Sequence, residues 1–168
     1  MNIHMQETLR GKTHTFDTEL DVSSLVDGRP DVIRSSPLKV RLEARAESKA
    51  VQVDGGLDID LEMSCSRCLK PTAAHVAVPF HEQFKPASSV TTAEVEEDEV
   101  IPVDGEWLNL QPYVEQALLL ELPFAPLCSE DCKGLCAKCG SDLNEGECGC
   151  SREVIDPRLA GLKDFFKS

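Results

Sequence analysis

The chain has 168 residues, 41% hydrophobic and 28% charged, which suffices for one ordinary core with a smaller appended unit. Its formal net charge of -13 disfavours broad contact with nucleic-acid phosphates, because such contact relies on lysine and arginine. The sequence shows neither a signal-peptide start nor an apolar run of about 18 residues, so we expect a cytoplasmic protein without a membrane span.

The first 35 residues give only weak structural signals. Thr13–Val22 alternates enough to predict a strand, and Asp27–Pro30 has the composition of a turn. The sequence assigns no functional role to this region.

Three runs of alternating apolar and polar residues predict three further strands. They span Leu38–Ala46 and Val51–Met63, and centre on Val76–Phe80. Asp54-Gly55-Gly56 interrupts the second run and indicates a bulge or a tight turn. Because the connections are short, we expect an antiparallel meander in an open or partly closed sheet. His75 and His81 fall on the polar side of the third strand and are expected to face solvent.

An acidic interval follows. Between Lys85 and Lys133 there is no lysine or arginine, but there are eleven acids. Residues 86–99 lack a hydrophobic pattern and indicate a mobile acidic loop, interpreted first as a solvated linker and alternatively as a docking surface for a basic partner. The candidate partner-binding residues of this loop are Glu94, Glu96, Glu97, Asp98 and Glu99.

A short hairpin and a helix are predicted next. Val100–Val103 and Glu106–Leu108 flank Asp104-Gly105, which suits a hairpin turn. Trp107 is expected in the core because aromatic side chains carry large burial areas.

The helix begins after Asn109, a candidate N-cap, and ends at Pro123. Leu110, Val114 and Leu118 lie on one apolar stripe of this helix. Because residues 118–120 are all leucine, the apolar surface exceeds one face, and we expect the helix to be covered on two sides.

Six of the eight cysteines lie between Cys128 and Cys150. In a reducing compartment, clustered cysteines indicate metal binding rather than a disulfide framework. A Cys-x-x-Cys pair followed by glycine is typical of a zinc knuckle, and a Cys-x-Cys pair supplies the opposing ligands. The favoured zinc ligands are Cys136, Cys139, Cys148 and Cys150.

The other four cysteines are candidates for a second zinc site: Cys65, Cys68, Cys128 and Cys132. Two alternatives stay open: Cys65 and Cys68 form a free thiol pair, or Cys132 replaces a ligand of the first site. The expected cofactor is therefore Zn²⁺, one ion or two.

Other chemistries are disfavoured. A thioredoxin-like pair opens a helix, whereas Pro71 and a strand follow Cys68. Four thiolates can hold an iron–sulfur cluster, but the knuckle glycine and the Cys-x-Cys pair favour zinc. The sequence carries no phosphate-binding loop, nucleophile elbow or His-Glu-x-x-His motif, and a closed four-thiolate site leaves no position for water, so we expect no enzymatic activity.

The sequence thus predicts an α+β fold: an antiparallel meander with one packed helix and a C-terminal zinc-ribbon-like cysteine module. The module ends in a short helix that starts near Asp156-Pro157-Arg158 and carries Leu159, Leu162 and Phe166 on one face. We expect two domains, residues 1–124 and residues 125–168.

Several motifs resemble the YceD family of large ribosomal RNA subunit accumulation proteins. They are Cys65-Ser-Arg-Cys68-Leu69 after a strand, the helix from Leu110 to Pro123, Cys132-Lys-Gly-Leu-Cys136-x-x-Cys139-Gly with Leu143-Asn144, Cys148-x-Cys150, and Asp156-Pro-Arg-Leu. The chain is similar to the subset of that family with a C-terminal cysteine cluster.

The resemblance implies a non-catalytic role in large-subunit ribosomal RNA accumulation. Family members are often encoded beside a small basic ribosomal protein, which suits the acidic charge of this chain. The implied partner is a large-subunit ribosomal protein or a pre-ribosomal particle. The alternative is direct binding of precursor ribosomal RNA through a basic patch that includes Arg41, Arg45 and Arg67.

Overall fold

The computed structural model describes residues 1–90 and 100–151. They form an α+β fold, as the sequence predicts. The strands are β1 (Asn2–His4), β2 (His14–Leu20), β3 (Val32–Ser35), β4 (Leu38–Glu47), β5 (Ala50–Ser64), β6 (Pro71–Pro86), β7 (Ile101–Val103) and β8 (Trp107–Asn109). The helices are α1 (Met5–Leu9), α2 (Ser23–Val26) and α3 (Gln111–Glu121), and Ala87–Ser89 form a 3-10 turn.

The main sheet has the strand order β2-β4-β5-β6-β7, and β3 also pairs with β5. β4, β5 and β6 are consecutive antiparallel neighbours, which confirms the predicted meander. The strand expected within Thr13–Val22 is β2, which pairs with β4 along its whole length. β7 runs parallel to the end of β6. Because this order has two ends, the described part of the main sheet is open.

β5 passes through Asp54-Gly55-Gly56 as one uninterrupted strand, so the predicted bulge or tight turn is wrong. The pairing with β4 stays in register there, since Leu42 lies opposite Gly55 and Arg41 opposite Gly56. A Cβ atom at Gly55 would lie 2.0 Å from the Arg41 carbonyl oxygen. Gly55 therefore marks a close approach between two strand backbones, not a reversal of the chain.

The core lies on one face of the main sheet. α1 packs on β4 and β5, and α3 packs on β6. Leu110, Val114 and Leu118 are fully buried, which confirms the predicted apolar stripe. The N-cap position is Leu110, one residue later than predicted. The Asn109 side chain still accepts a hydrogen bond of 3.1 Å from the Gln111 amide at the start of α3.

The outer surface of α3 departs from the prediction. Leu119 and Leu120 are 44% and 77% exposed, so within the described part of the chain the helix is covered on one side only. The leucine run widens the apolar surface without a second layer to cover it. An exposed apolar helix face of this kind is available for contact with another molecule.

The predicted hairpin between Val100 and Leu108 is wrong. β7 pairs with β6, whereas β8 pairs antiparallel with β1 in a separate two-stranded sheet. The N-terminal strand supplies a partner that the weak signals of residues 1–35 did not reveal. Trp107 is also not in the core, because it is 62% exposed. Leu108 takes the inward position of β8, so its neighbour Trp107 is directed outward, where its ring packs edge-on against His4.

Two predicted features lie outside the described residues: positions 91–99 of the acidic loop and the helix expected after Asp156. Of the predicted loop, Pro86 ends β6 and Ala87–Ser89 form the 3-10 turn. Among the described helices, none combines the length and the apolar character needed to cross a membrane.

Substitution of Gly55 tests the close approach of β4 and β5. Gly55→Ala is expected to lower the free energy of unfolding by more than about 2 kcal/mol, because the added methyl group overlaps the Arg41 carbonyl. Gly56→Ala is the matched control: its Cβ would lie 3.7 Å from the Val78 carbonyl oxygen, an ordinary contact. Urea denaturation followed by circular dichroism measures both, and equal losses would contradict the assigned role of Gly55.

Candidate metal centres

The first four-cysteine site lies at one end of the main sheet, and we call it the sheet-end site. Cys65 and Cys68 lie in the turn between β5 and β6, and Cys128 and Cys132 follow α3 in the chain. The four sulfur atoms lie within 4.8 Å of one another. The Sγ atoms of Cys65 and Cys132 are 3.8 Å apart, and those of Cys68 and Cys128 are 3.5 Å apart.

These distances suit a tetrahedral metal ion. Metal–sulfur bonds of about 2.3 Å place the four sulfur atoms about 3.8 Å apart. Cys65, Cys68 and Cys132 are buried and Cys128 is exposed, so the sheet-end site is largely closed to water. The structure therefore brings together the four cysteines that the sequence grouped as a second site, and Cys132 does not join the other set.

The second site, which we call the module site, consists of Cys136, Cys139, Cys148 and Cys150. Its four sulfur atoms also lie within 4.8 Å of one another. Cys136 is buried, Cys139 is exposed, and the remaining two are half-buried. The grouping agrees with the set favoured from the sequence. Each site thus offers a complete set of four thiols to one ion.

The two Cys-x-x-Cys turns share a backbone geometry. The Leu69 amide donates to the Cys65 carbonyl at 2.9 Å, and the Gly140 amide donates to the Cys136 carbonyl at 2.8 Å. Both residues that follow the second cysteine adopt the left-handed region, with φ of 62° at Leu69 and 74° at Gly140. Glycine reaches this region without strain, whereas leucine does not. The shared turn makes the sheet-end pair a second knuckle that lacks the usual glycine.

Backbone amides and neighbouring thiols shift the ionisation of these cysteines in opposite directions. The amides of Cys68 and Cys128 donate to the Cys65 sulfur and lower the pKa of its thiol to about 6. Contacts with the Cys68 and Cys132 sulfurs raise the pKa of Cys128 to about 12. Four thiols this close cannot all ionise unless a cation offsets their repulsion. The donor set therefore fits a soft divalent metal ion.

The module site shows the same division. The Ser141 hydroxyl lies 3.2 Å from the Cys139 sulfur and is the main cause that lowers the pKa of Cys139 to about 6. The neighbouring Cys139 and Cys148 sulfurs raise the pKa of Cys150 to about 12. Both sites thus combine donors that favour thiolate with crowding that a bound cation would relieve.

Hydrogen bonds of groups other than the thiols fasten the described part of the cysteine module, residues 125–151, to the end of the sheet. The Arg67 guanidinium donates to the Cys132 carbonyl at 2.8 Å, and the Leu135 amide donates to the Arg67 carbonyl at 3.0 Å. The Ser66 amide donates to the Pro126 carbonyl at 2.8 Å. The turn between β5 and β6 is therefore held from both sides by the segment that follows α3.

Asn144 and Lys70 were missed as structural residues by the sequence reasoning. The Asn144 amide group donates to the Cys132 sulfur at 3.5 Å and accepts from the Lys133 amide at 2.7 Å, so it links the two sites. Lys70 forms ion pairs with Asp142 at 2.7 Å and Glu145 at 3.0 Å, which raise its pKa. The available signal for Asn144 was its place between the cysteine pairs of the module site.

The structure describes the basic candidate partner-binding residues but not the acidic ones. Glu94, Glu96, Glu97, Asp98 and Glu99 lie outside the described residues. Arg41 lies 3.8 Å from Asp58, and Arg45 lies 2.9 Å from Asp54. The charges of the proposed basic patch are therefore partly offset within the sheet, and Arg67 contacts the module instead. His75 and His81 are exposed, as predicted.

The main sheet is open and mainly antiparallel, its end carries one four-thiol site, and a second four-thiol site follows in the chain. These features define an α+β protein with two cysteine clusters. The chain belongs to the family described as "Large ribosomal RNA subunit accumulation protein YceD", whose model matches residues 53–166. This confirms the family that the sequence motifs indicated.

Curated relatives agree with this family. The chain is 40% identical over 129 residues to an uncharacterised protein of Mycobacterium tuberculosis. The aligned region covers 77% of this chain and 62% of that relative. It is 28% identical over 167 residues to the uncharacterised protein YlbN of Bacillus subtilis, covering 98% and 95% of the two chains. It is 25% identical over 169 residues to the Arabidopsis thaliana protein named "Large ribosomal RNA subunit accumulation protein YCED homolog 1, chloroplastic", covering 82% and 50%. No solved structure matches the chain.

Metal analysis of the full-length protein, purified without oxygen, tests the two sites. We expect about two ions per chain, because each set of four sulfurs completes one tetrahedral shell. Cys65→Ser and Cys136→Ser are each expected to remove about one ion, and each variant is the control for the other. Near-zero content in the unmodified protein, or loss of both ions from either single variant, would contradict two separate sites.

Proposed function

We propose that this protein is a non-enzymatic ribosome biogenesis factor that supports accumulation of large-subunit ribosomal RNA. In this proposal it binds a basic large-subunit ribosomal protein or a pre-ribosomal particle. The family description and the printed name of the plant relative support the ribosomal role. The observation that carries the choice of partner is charge: the chain has a net charge of -13, and residues 86–132 contain no lysine or arginine.

The metal in both sites is proposed to be Zn²⁺. Four-thiolate zinc sites are closed and structural, because no coordination position is left for water or substrate. The knuckle geometry of both Cys-x-x-Cys turns supports this assignment over an iron–sulfur cluster. Reduced thiols of this kind suit a cytoplasmic location. Residues 125–168 then act as a zinc module that braces the domain formed by residues 1–124.

Direct RNA binding is the less favoured function. Arg45 approaches Glu47 as well as Asp54, and Asp58 lies beside Arg41, so phosphate groups meet carboxylates on that face of the sheet. Arg67 already donates to backbone carbonyls of the module. Phosphate binding draws its affinity from unpaired cationic side chains. A basic protein partner suits this surface better than a nucleic acid.

A salt-dependent capture experiment tests the proposed partner class. The tagged full-length protein is incubated with a ribosome-containing extract of its source organism, and bound proteins and RNA are identified. Large-subunit ribosomal proteins are expected at about 50 mM salt and should be largely lost near 0.5 M, because exposed charge pairs are screened. Ribosomal RNA captured without any ribosomal protein would favour the RNA alternative, and recovery of neither would contradict the proposal.

Matched charge variants locate the contact. The test variant replaces Glu94, Glu96 and Glu97 by glutamine, and the control replaces Asp17, Glu19 and Asp27 by their amides. Both remove three negative charges, so a nonspecific effect of net charge would weaken capture equally. We expect the test variant alone to reduce capture, by about threefold or more.

A further inference from the structure

A groove of about 410 Å³ opens between β6 and α3. Its walls are mainly apolar, formed by Val78, Ile101, Ala117 and the exposed side chain of Leu120. Two carboxylates line it as well, Glu82 on β6 and Glu121 at the end of α3. Among the described residues that line the groove there is no lysine or arginine. The groove therefore joins an apolar surface to uncompensated negative charge.

Glu82 occupies an unusual place in β6. Val78, Phe80 and Phe84 are buried members of the alternating row that faces the core, and Glu82 lies in the same row between the two phenylalanines. It is half-buried. Within the described parts of the chain, its carboxylate makes no hydrogen bond or ion pair, and the neighbouring His81 acts on it only through space. The described residues thus leave the charge at this position without a direct partner.

A half-buried carboxylate without a partner is unfavourable. Burial raises the pKa of Glu82 above the usual glutamate value, since the charged form loses contact with water. A cation placed against it would restore the lost electrostatic stabilisation. An apolar side chain in the groove would do the opposite, because it would seal the carboxylate away from water without a partner.

We propose that this groove binds an arginine or lysine side chain of a basic polypeptide. The aliphatic stem of that side chain packs along Ala117 and Leu120, and its charged group pairs with Glu82, with Glu121 beside it. Long basic side chains combine these two properties, an apolar stem and a cationic end. The inference rests on the proposed basic partner and adds the position at which the partner is held.

The chemistry of the groove separates a basic polypeptide from other ligands. Phosphate groups of RNA would meet two carboxylates and no cation, so a nucleic acid is repelled here. A purely apolar segment leaves Glu82 unpaired. A basic side chain satisfies both the apolar walls and the carboxylates.

A peptide titration tests the groove directly. Acetyl-Gly-Arg-Gly-amide is added to isotope-labelled full-length protein, and amide correlation spectra record the shifted signals. We expect the largest shifts at residues 78–82 and 113–121, with a dissociation constant in the millimolar range, as for a single side chain. The same peptide with citrulline replaces the guanidinium by a neutral group of similar shape, and it should produce no such shifts.

Glu82→Gln is expected to weaken binding of the arginine peptide at least about fivefold, because the charged partner is lost. Glu19→Gln is the matched control and should leave binding unchanged, because β2 is the edge strand on the side of the sheet away from β6 and β7. If Glu82→Gln gives a poorly dispersed spectrum, Leu120→Ser replaces it as the test. Leu120 is 77% exposed, so this variant should fold. Its binding of the arginine peptide should be at least about twofold weaker, because apolar contact area in the groove is lost.

Shifts spread evenly over the acidic surface, equal shifts with citrulline, or undiminished binding by the test variant would overturn the proposal. The peptide contains no ribosomal sequence. A failed capture of ribosomal components would therefore leave this result intact, and a failed peptide titration would leave the capture result intact. The two proposals fail separately.

Discussion

The sheet-end site is the constraint on which the attachment of the cysteine module to the sheet depends. It joins the turn between β5 and β6 to the segment after α3, two parts of the chain about sixty residues apart, as the 3.5 Å approach of the Cys68 and Cys128 sulfurs shows. Four crowded thiolates repel one another, so all four can be ionised together only when a cation lies between them. The hydrogen bonds of Ser66 and Arg67 to the same segment then fix the orientation of the module.

This arrangement separates the part that fastens the module to the sheet from the part proposed to act. Both cysteine sites are closed sets of four sulfurs, which suits a brace and leaves no open coordination position. The features available for a partner lie elsewhere: the uncovered leucines of α3, the groove beside β6 and the acidic interval. The brace fixes the end of α3 through the segment that follows it. The module is thereby tied to the helix that forms one wall of the groove.

The sequence predicted those parts of the fold that depend on local periodicity. β4, β5 and β6 follow from their alternating residues, and the module site follows from the spacing of its cysteines. Contacts between distant segments were less accessible. The pairing of β1 with β8 left Trp107 exposed, and Gly55 serves a cross-strand approach that no local pattern distinguishes from a turn. The partner of the Cys65–Cys68 turn also stayed open, because sequence spacing does not report distances across the fold.

Hydrogen exchange, measured by mass spectrometry on the full-length protein before and after metal removal under reducing conditions, tests the central claim most directly. The account predicts that residues 65–70 and 126–136 lose protection when the metal is removed. The amides of Ser66 and Leu135 form hydrogen bonds between these two segments, and those bonds should open. The paired amides of β4, β5 and β6 should stay protected, because apolar packing holds the meander. Unchanged protection at the junction, or equal loss throughout the sheet, would contradict the view that the sheet-end site fastens the module to an independently stable core.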